Sequence, residues 1–140
     1  MIYKQVRRLC AEGDALAAVG KYPQSLDSYW EAFDLLPEPA TRWNAATWIL
    51  AAIGDANFLG EDYQAGVDNC SVALSCPGGL GNPLLHLRLG ECHSEMGNLD
   101  RSADELARAY MGGGISIFAN EDAKYFAFLK TRLQEPEGGW

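Results

Sequence analysis

The chain has 140 residues, a formal net charge of −8 and a hydrophobic content of 48%. This length predicts one domain, residues 1–140, and the apolar content excludes a disordered chain. The acidic balance argues against nucleic acid or an anionic membrane as a direct ligand and favours a basic partner.

No run of apolar residues reaches the roughly 20 that a membrane-spanning helix needs. The N-terminal residues MIYKQVRRLC also lack the apolar core of a secretory signal. We therefore expect a cytoplasmic protein without a membrane partner. The cysteines form no C-x-x-C pair and are expected to be free thiols that pack as small hydrophobic residues: Cys10, Cys70, Cys76 and Cys92.

Apolar spacing, glycines and prolines predict seven helices. Pro23 suits the first turn of the second helix, and Asn82 with Pro83 suits the start of the fifth. Asn120 is predicted to cap the seventh helix, which is strongly apolar. The predicted helices cover about residues 3–19, 23–36, 40–59, 63–75, 83–96, 99–111 and 120–134.

Three glycines, Gly13, Gly54 and Gly90, mark an internal repeat. Each is followed by a large residue after nine positions, a small one after twelve, a large one after sixteen and an alanine after nineteen. In that order the residues are Tyr22, Tyr63 and Leu99; Ser25, Gly66 and Ser102; Tyr29, Cys70 and Leu106; and Ala32, Ala73 and Ala109. Because glycine costs roughly 1 kcal/mol relative to alanine inside a helix, we expect each to allow close approach of the facing helix.

This order of residues resembles the tetratricopeptide repeat (TPR), in which small residues let paired helices cross closely. The copies depart from it in using Ser25, Gly66 and Ser102 where alanine is usual. Their spacings of 41 and 36 residues also exceed the usual value of about 34. The resemblance implies an all-α fold, a right-handed α-solenoid of three helix hairpins plus a C-terminal capping helix. The implied segments are repeats at about 6–37, 41–77 and 83–111, a capping helix at about 120–134 and a loose tail at 135–140.

The resemblance also implies a concave groove, because the residue after each repeat glycine commonly points into it. Asp14, Asp55 and Glu91 occupy these positions and are predicted to form a ladder of carboxylates. Acids are also common on solvated helix faces, and that alternative stays open. The predicted partner-binding residues are Asp14, Trp48, Asp55, Phe58, Leu84, Leu87, Arg88 and Glu91.

Catalytic, cofactor and metal sites are not predicted. His86 and His93 lie about two helical turns apart, or about 10 Å, so they cannot share a metal without a third element. The chain also has no H-E-x-x-H motif and no glycine-rich phosphate loop after a strand. We therefore expect a protein that is not an enzyme.

The C-terminal segment GGGISIFANEDAKYFAFLK is similar to the ending of small bacterial TPR immunity proteins encoded beside polymorphic or contact-dependent toxins. That similarity implies an immunity protein whose partner is a basic toxin domain, although a capping helix explains much of the segment. The alternative is a secretion chaperone of the three-TPR type. A heat-shock co-chaperone is not expected, since of the matched groove positions only Arg88 suits a carboxylate clamp.

Overall fold

The computed structural model describes residues 2–140, which contain helices and no strand. The α-helices are α1 (Ile2–Ala18), α2 (Tyr22–Asp34), α3 (Asn44–Leu59), α4 (Tyr63–Leu74), α5 (Pro83–Glu95), α6 (Leu99–Gly113) and α7 (Ala123–Lys130). Two short 3₁₀ helices, Ala40–Arg42 and Ile115–Phe118, precede α3 and α7.

The first six α-helices form three antiparallel hairpins, α1 with α2, α3 with α4 and α5 with α6. Successive hairpins stack because α2 packs on α3 and α4 packs on α5. Helices α1, α3 and α5 also contact one another in order, so they form the inner layer of the solenoid. The groove described below runs along this inner layer.

The repeat glycines lie where the two helices of a hairpin cross, as predicted. A methyl group on Gly13 would lie 2.6 Å from the ring of Tyr29, and one on Gly90 would lie 2.8 Å from the side chain of Leu106. Gly54 makes the corresponding close approach to the sulfur of Cys70. The glycines therefore pack against the residue sixteen positions later in their own repeat. The alanines at the end of the pattern are fully buried: Ala32, Ala73 and Ala109.

The third helix is shorter than predicted. Residues Ala40–Arg42 form a separate 3₁₀ turn, and Trp43 has an extended backbone with φ −95° and ψ 142°. The indole N–H of Trp43 donates a hydrogen bond of 2.8 Å to the carbonyl oxygen of Pro37. This contact ties Trp43 to the segment that follows α2, so residues 40–43 do not continue α3.

The C-terminal helix covers the last hairpin, as the capping role requires. Tyr125 and Leu129 are buried in one cluster with Leu106 and Ala109 of α6. The predicted cap at Asn120 is wrong, because Asp122 accepts the hydrogen bond from the backbone N–H of Lys124 at 3.0 Å. The helix also ends at Lys130 rather than near residue 134.

The segment predicted to be a loose tail, residues 135–140, contacts the helices through Trp140. The indole ring of Trp140 lies 5.6 Å from the rings of both Tyr110 and Phe126, measured between centroids. The hydroxyl of Tyr110 donates a hydrogen bond of 2.8 Å to the carbonyl oxygen of Trp140. Trp140 therefore packs on α6 and α7, although the residues between it and α7 are mostly exposed.

All four cysteines are buried and free, which confirms the prediction made for them. Burial raises the pKa of the Cys70 and Cys92 thiols to about 12, so these groups are neutral at physiological pH. Within residues 2–140, no helix combines the length and apolar character that crossing a bilayer demands.

Candidate protein-binding groove

One end of the inner layer holds an apolar pocket of about 440 Å³ between α3 and α5. Trp48 and Leu84 line it and are 40% and 66% exposed. The hydroxyl of Thr47 donates a hydrogen bond of 2.7 Å to the carbonyl oxygen of Pro77, which holds the α4–α5 loop against α3. The other lining residues are Asn44, Ala51, Asp55, Gly78, Asn82 and Leu85. We call this set the apolar pocket.

A second depression, of about 290 Å³, lies between α1 and α3 and contains two predicted groove acids. Asp14 and Asp55 are exposed on its rim, and small residues of α1 and α3 form much of the rest: Ala17, Ala18, Ala52 and Ala56, with Tyr29 and Leu59. We call this set the acidic pocket. Asp55 also lines the apolar pocket, so the two depressions share one wall.

The carboxylate of Asp14 is held in place by Tyr29. The hydroxyl of Tyr29 donates a hydrogen bond of 2.6 Å to Oδ1 of Asp14. Burial of the phenol, followed by its hydrogen bond to Asp14, raises the pKa of Tyr29, so the hydroxyl keeps its proton. Asp14 is therefore an oriented acceptor at the edge of the groove.

Arg88 is the centre of a cluster with Asp55, Glu91 and Glu121, which we call the Arg88 cluster. Its Nε lies 2.8 Å from Oδ1 of Asp55, and its Nη1 lies 2.9 Å from Oε1 of Glu91 and 3.0 Å from Oε1 of Glu121. The guanidinium carbon also lies 4.5 Å from the ring centroid of Phe58. Arg88 thus links α3, α5 and the residues before α7, and its side chain is only 15% exposed.

The predicted ladder of three carboxylates is wrong at Glu91, which is fully buried. Burial raises the pKa of Glu91 to about 9, and the neighbouring carboxyl of Glu121 adds to the shift while Arg88 opposes it. When Glu91 is ionised, its Oε2 receives no hydrogen bond from any donor. A proton on Glu91 would supply the donor for a hydrogen bond to Glu121. The groove therefore exposes two predicted acids, Asp14 and Asp55.

Leu87 is also buried, at 3% exposure, because the C-terminal segment covers the inner face of α5. It belongs to the cluster that contains Phe118, Tyr125 and Leu129. Phe58 is partly buried beside Tyr63 and Tyr125, with centroid distances of 5.9 and 6.2 Å. Leu87 is thus a core residue, and Phe58 presents only part of its ring to the groove.

The two histidines have structural partners inside the third hairpin. Nδ1 of His86 lies 2.6 Å from Oε2 of Glu105, and His93 contacts Asn98 through its Nδ1 at 3.3 Å. Across residues 2–140, no three His, Cys, Asp or Glu side chains lie together in a way that could hold a metal ion.

No protein-family profile matches the sequence, and no curated protein matches it. Solved structures of TPR domains match its fold. The second TPR domain of human RPAP3, in complex with the HSP70 peptide SGPTIEEVD, aligns with a TM-score of 0.72 at 13% identity over 94% of this chain and 97% of that one. The Arabidopsis OM64 TPR domain aligns with a TM-score of 0.74 at 14% identity over 94% and 96%. The first TPR domain of human RPAP3 aligns with a TM-score of 0.71 at 16% identity over 91% and 94%.

The chain has the TPR fold. The predicted α-solenoid of three helix hairpins with a capping helix is confirmed. At these identities the likeness concerns the fold alone.

Two parts of the TPR groove were not found from the sequence. Glu121, which precedes α7, pairs with Arg88 across 33 positions of the chain. Pro77, in the α4–α5 loop, lines the apolar pocket. Neither contact follows a helical spacing, so no periodic pattern in the sequence could indicate it.

Proposed function

We propose that this TPR domain is a non-catalytic protein-binding module, and that it acts as an immunity protein by neutralising a basic toxin domain. The observation that carries the proposal is the groove, in which the exposed apolar side chains of Trp48 and Leu84 adjoin the exposed carboxylates of Asp14 and Asp55. A surface of this kind fits a partner with apolar and basic groups.

The charge of the groove distinguishes this domain from a receptor for acidic peptides. The HSP70 peptide in the complex with human RPAP3 ends in EEVD and carries three acidic side chains. Here the inner layer exposes Asp14 and Asp55. Arg88 is already paired with the carboxylates of Asp55 and Glu121 and also contacts the carboxyl group of Glu91. An acidic peptide would therefore be repelled, and a basic one attracted.

A toxin that acts on nucleic acid would meet this requirement. Such a protein needs lysines and arginines to hold phosphates. An acidic groove that covered them would block entry of the substrate without touching the catalytic groups. The C-terminal segment, with its similarity to the endings of immunity proteins, supports the same proposal.

The test is a protection assay with the toxin domain encoded beside this chain. Cells that express that domain should survive when they also express the wild-type protein. The triple variant Asp14→Asn, Asp55→Asn, Trp48→Ala should protect less well. The matched control Asp27→Asn, Glu31→Gln changes exposed acids of α2 and should protect fully. The absence of a neighbouring toxin, or full protection by the groove variant, would contradict the proposal.

A secretion chaperone is the second candidate, and the continuity of the groove favours it. The apolar and acidic pockets share Asp55, so an extended segment of a client can cross both. A chaperone would be encoded in a secretion operon and would keep its client unfolded and sensitive to protease. An immunity protein would bind a toxin domain that stays folded and resists protease in the complex.

A further inference from the structure

We infer that the groove recognises an extended segment in which a lysine or arginine lies within two positions of a large apolar side chain. The inference rests on the proposed function in that it uses the same groove, and it names the chemistry of the bound segment. The apolar side chain enters the apolar pocket, and the cation lies between Asp14 and Asp55.

The apolar pocket is built to take one side chain from a partner. Trp48 and Leu84 form its exposed walls, and Ala51 leaves space between them. The hydrogen bond from Thr47 to Pro77 fixes the loop at its edge, so the pocket exists before a ligand arrives. Filling the pocket removes exposed apolar surface from water, which is the main source of affinity in such contacts.

The cation is attracted by the two exposed carboxylates of the groove, Asp14 and Asp55, although Asp55 already pairs with Arg88. Asp14 is oriented by Tyr29, and the side chain of Asp55 is 52% exposed although it accepts a hydrogen bond from Arg88. Arg88 also pairs with the carboxylate of Glu121, and its remaining contact is with the protonated carboxyl group of Glu91. This part of the groove therefore keeps a negative charge that complements lysine or arginine.

The shared wall sets the spacing between the two groups of the ligand. Asp55 lines both depressions, so a cation on one side of its carboxylate and an apolar group on the other are close neighbours. An extended chain advances about 3.3 Å per residue and turns successive side chains to opposite faces. Residues two positions apart point to the same face and lie about 6.6 Å apart, so they suit the two pockets.

The test uses short acetylated and amidated peptides on a glycine–serine framework. Their central residues are Lys-Gly-Leu, Ser-Gly-Leu, Lys-Gly-Ser or Glu-Gly-Leu, and we call them the Lys-Leu, Ser-Leu, Lys-Ser and Glu-Leu peptides. Binding to the full chain is measured by fluorescence anisotropy at low and at physiological salt. We expect the Lys-Leu peptide to bind about tenfold more tightly than each of the others, a difference of about 1.4 kcal/mol. Equal binding of the Lys-Leu and Glu-Leu peptides, or no binding of Lys-Leu, would overturn the inference.

Two variants test which pocket recognises the lysine and which recognises the leucine. The double variant Asp14→Asn, Asp55→Asn keeps side-chain oxygens that accept from Tyr29 and Arg88, and it should lose the preference for lysine while keeping that for leucine. Trp48→Ala should lose the preference for leucine. The matched double variant Asp27→Asn, Glu31→Gln should behave as wild type. If the groove variants keep both preferences, the pockets are not the site.

Failure of this inference is distinct from failure of the proposed function. A toxin domain that is neutralised while no peptide binds would show recognition of a folded surface, which overturns the inference alone. Peptides that bind with the expected preferences, without any toxin partner, would overturn the immunity role alone.

Discussion

At the scale of single residues, Glu91 shows how burial changes the role of an acid. It follows a repeat glycine as Asp14 and Asp55 do, but it is the one of the three that lies beneath the C-terminal segment. Its neighbours are one guanidinium and the carboxyl of Glu121. Because burial raises the pKa of Glu91 to about 9, it holds a proton at neutral pH.

This proton makes stability depend on pH. The pKa of Glu91 is raised in the folded state above its ordinary value, so folding takes up a proton. The resulting stability is fully present below about pH 4.5 and is lost as the pH rises to about 9. Urea unfolding at several pH values should show this fall, and Glu91→Gln, which mimics the protonated acid, should flatten it. Parallel curves for the two proteins would contradict the assignment of the proton.

The repeat glycines give a second prediction at this scale. A side chain on Gly90 would meet Leu106 and the backbone nitrogen of that residue at 3.1 Å. Gly90→Leu should therefore force α5 and α6 apart and lower the free energy of unfolding by roughly 1–3 kcal/mol or more. Ala15→Leu, on an exposed position of α1, is the control and should have little effect. An unchanged melting curve for the Gly90 variant would refute the argument from helix crossing.

At the scale of elements, α7 is predicted to be necessary for a stable fold. It buries Leu129 and Tyr125 against the third hairpin and brings Glu121 to Arg88. Removal of residues 120–140 should expose this apolar face and cause aggregation or a large loss of stability. Removal of residues 135–140 alone is the control, since it takes away only the contacts of Trp140 and its neighbours.

A truncated protein that stays monomeric and equally stable would contradict the capping role. If it also lost its partner, α7 would be a binding element. Size-exclusion chromatography and thermal unfolding of both truncations decide between these outcomes.

The three hairpins could be predicted because the residues that pack where their helices cross recur at fixed offsets along the sequence. Gly13, Gly54 and Gly90 each meet a residue at the same later position, and that offset is visible in the sequence. Which inner-face residues are exposed in the groove could not be predicted in the same way. Leu87 and Glu91 stand at inner-face positions of α5, but the segment that buries them comes about 30 residues later and follows no repeat.

At the scale of the whole molecule, charge and shape act together. The net charge of −8 favours attraction of a basic partner from a distance, and we propose that this partner binds in the groove. The apolar contacts at Trp48 and Leu84 should determine how long the complex lasts, whereas Asp14 and Asp55 should determine how fast it forms.

The most direct test of the acidic groove is the rate of association with the proposed toxin partner at low and high salt. The wild type, the variant Asp14→Asn, Asp55→Asn and the control Asp27→Asn, Glu31→Gln are compared by stopped-flow fluorescence. We predict slower association of the groove variant at low salt, with a difference that shrinks at high salt and is absent in the control. Identical association rates for all three proteins at both salt concentrations would show that Asp14 and Asp55 are ordinary solvated residues and that the partner binds elsewhere.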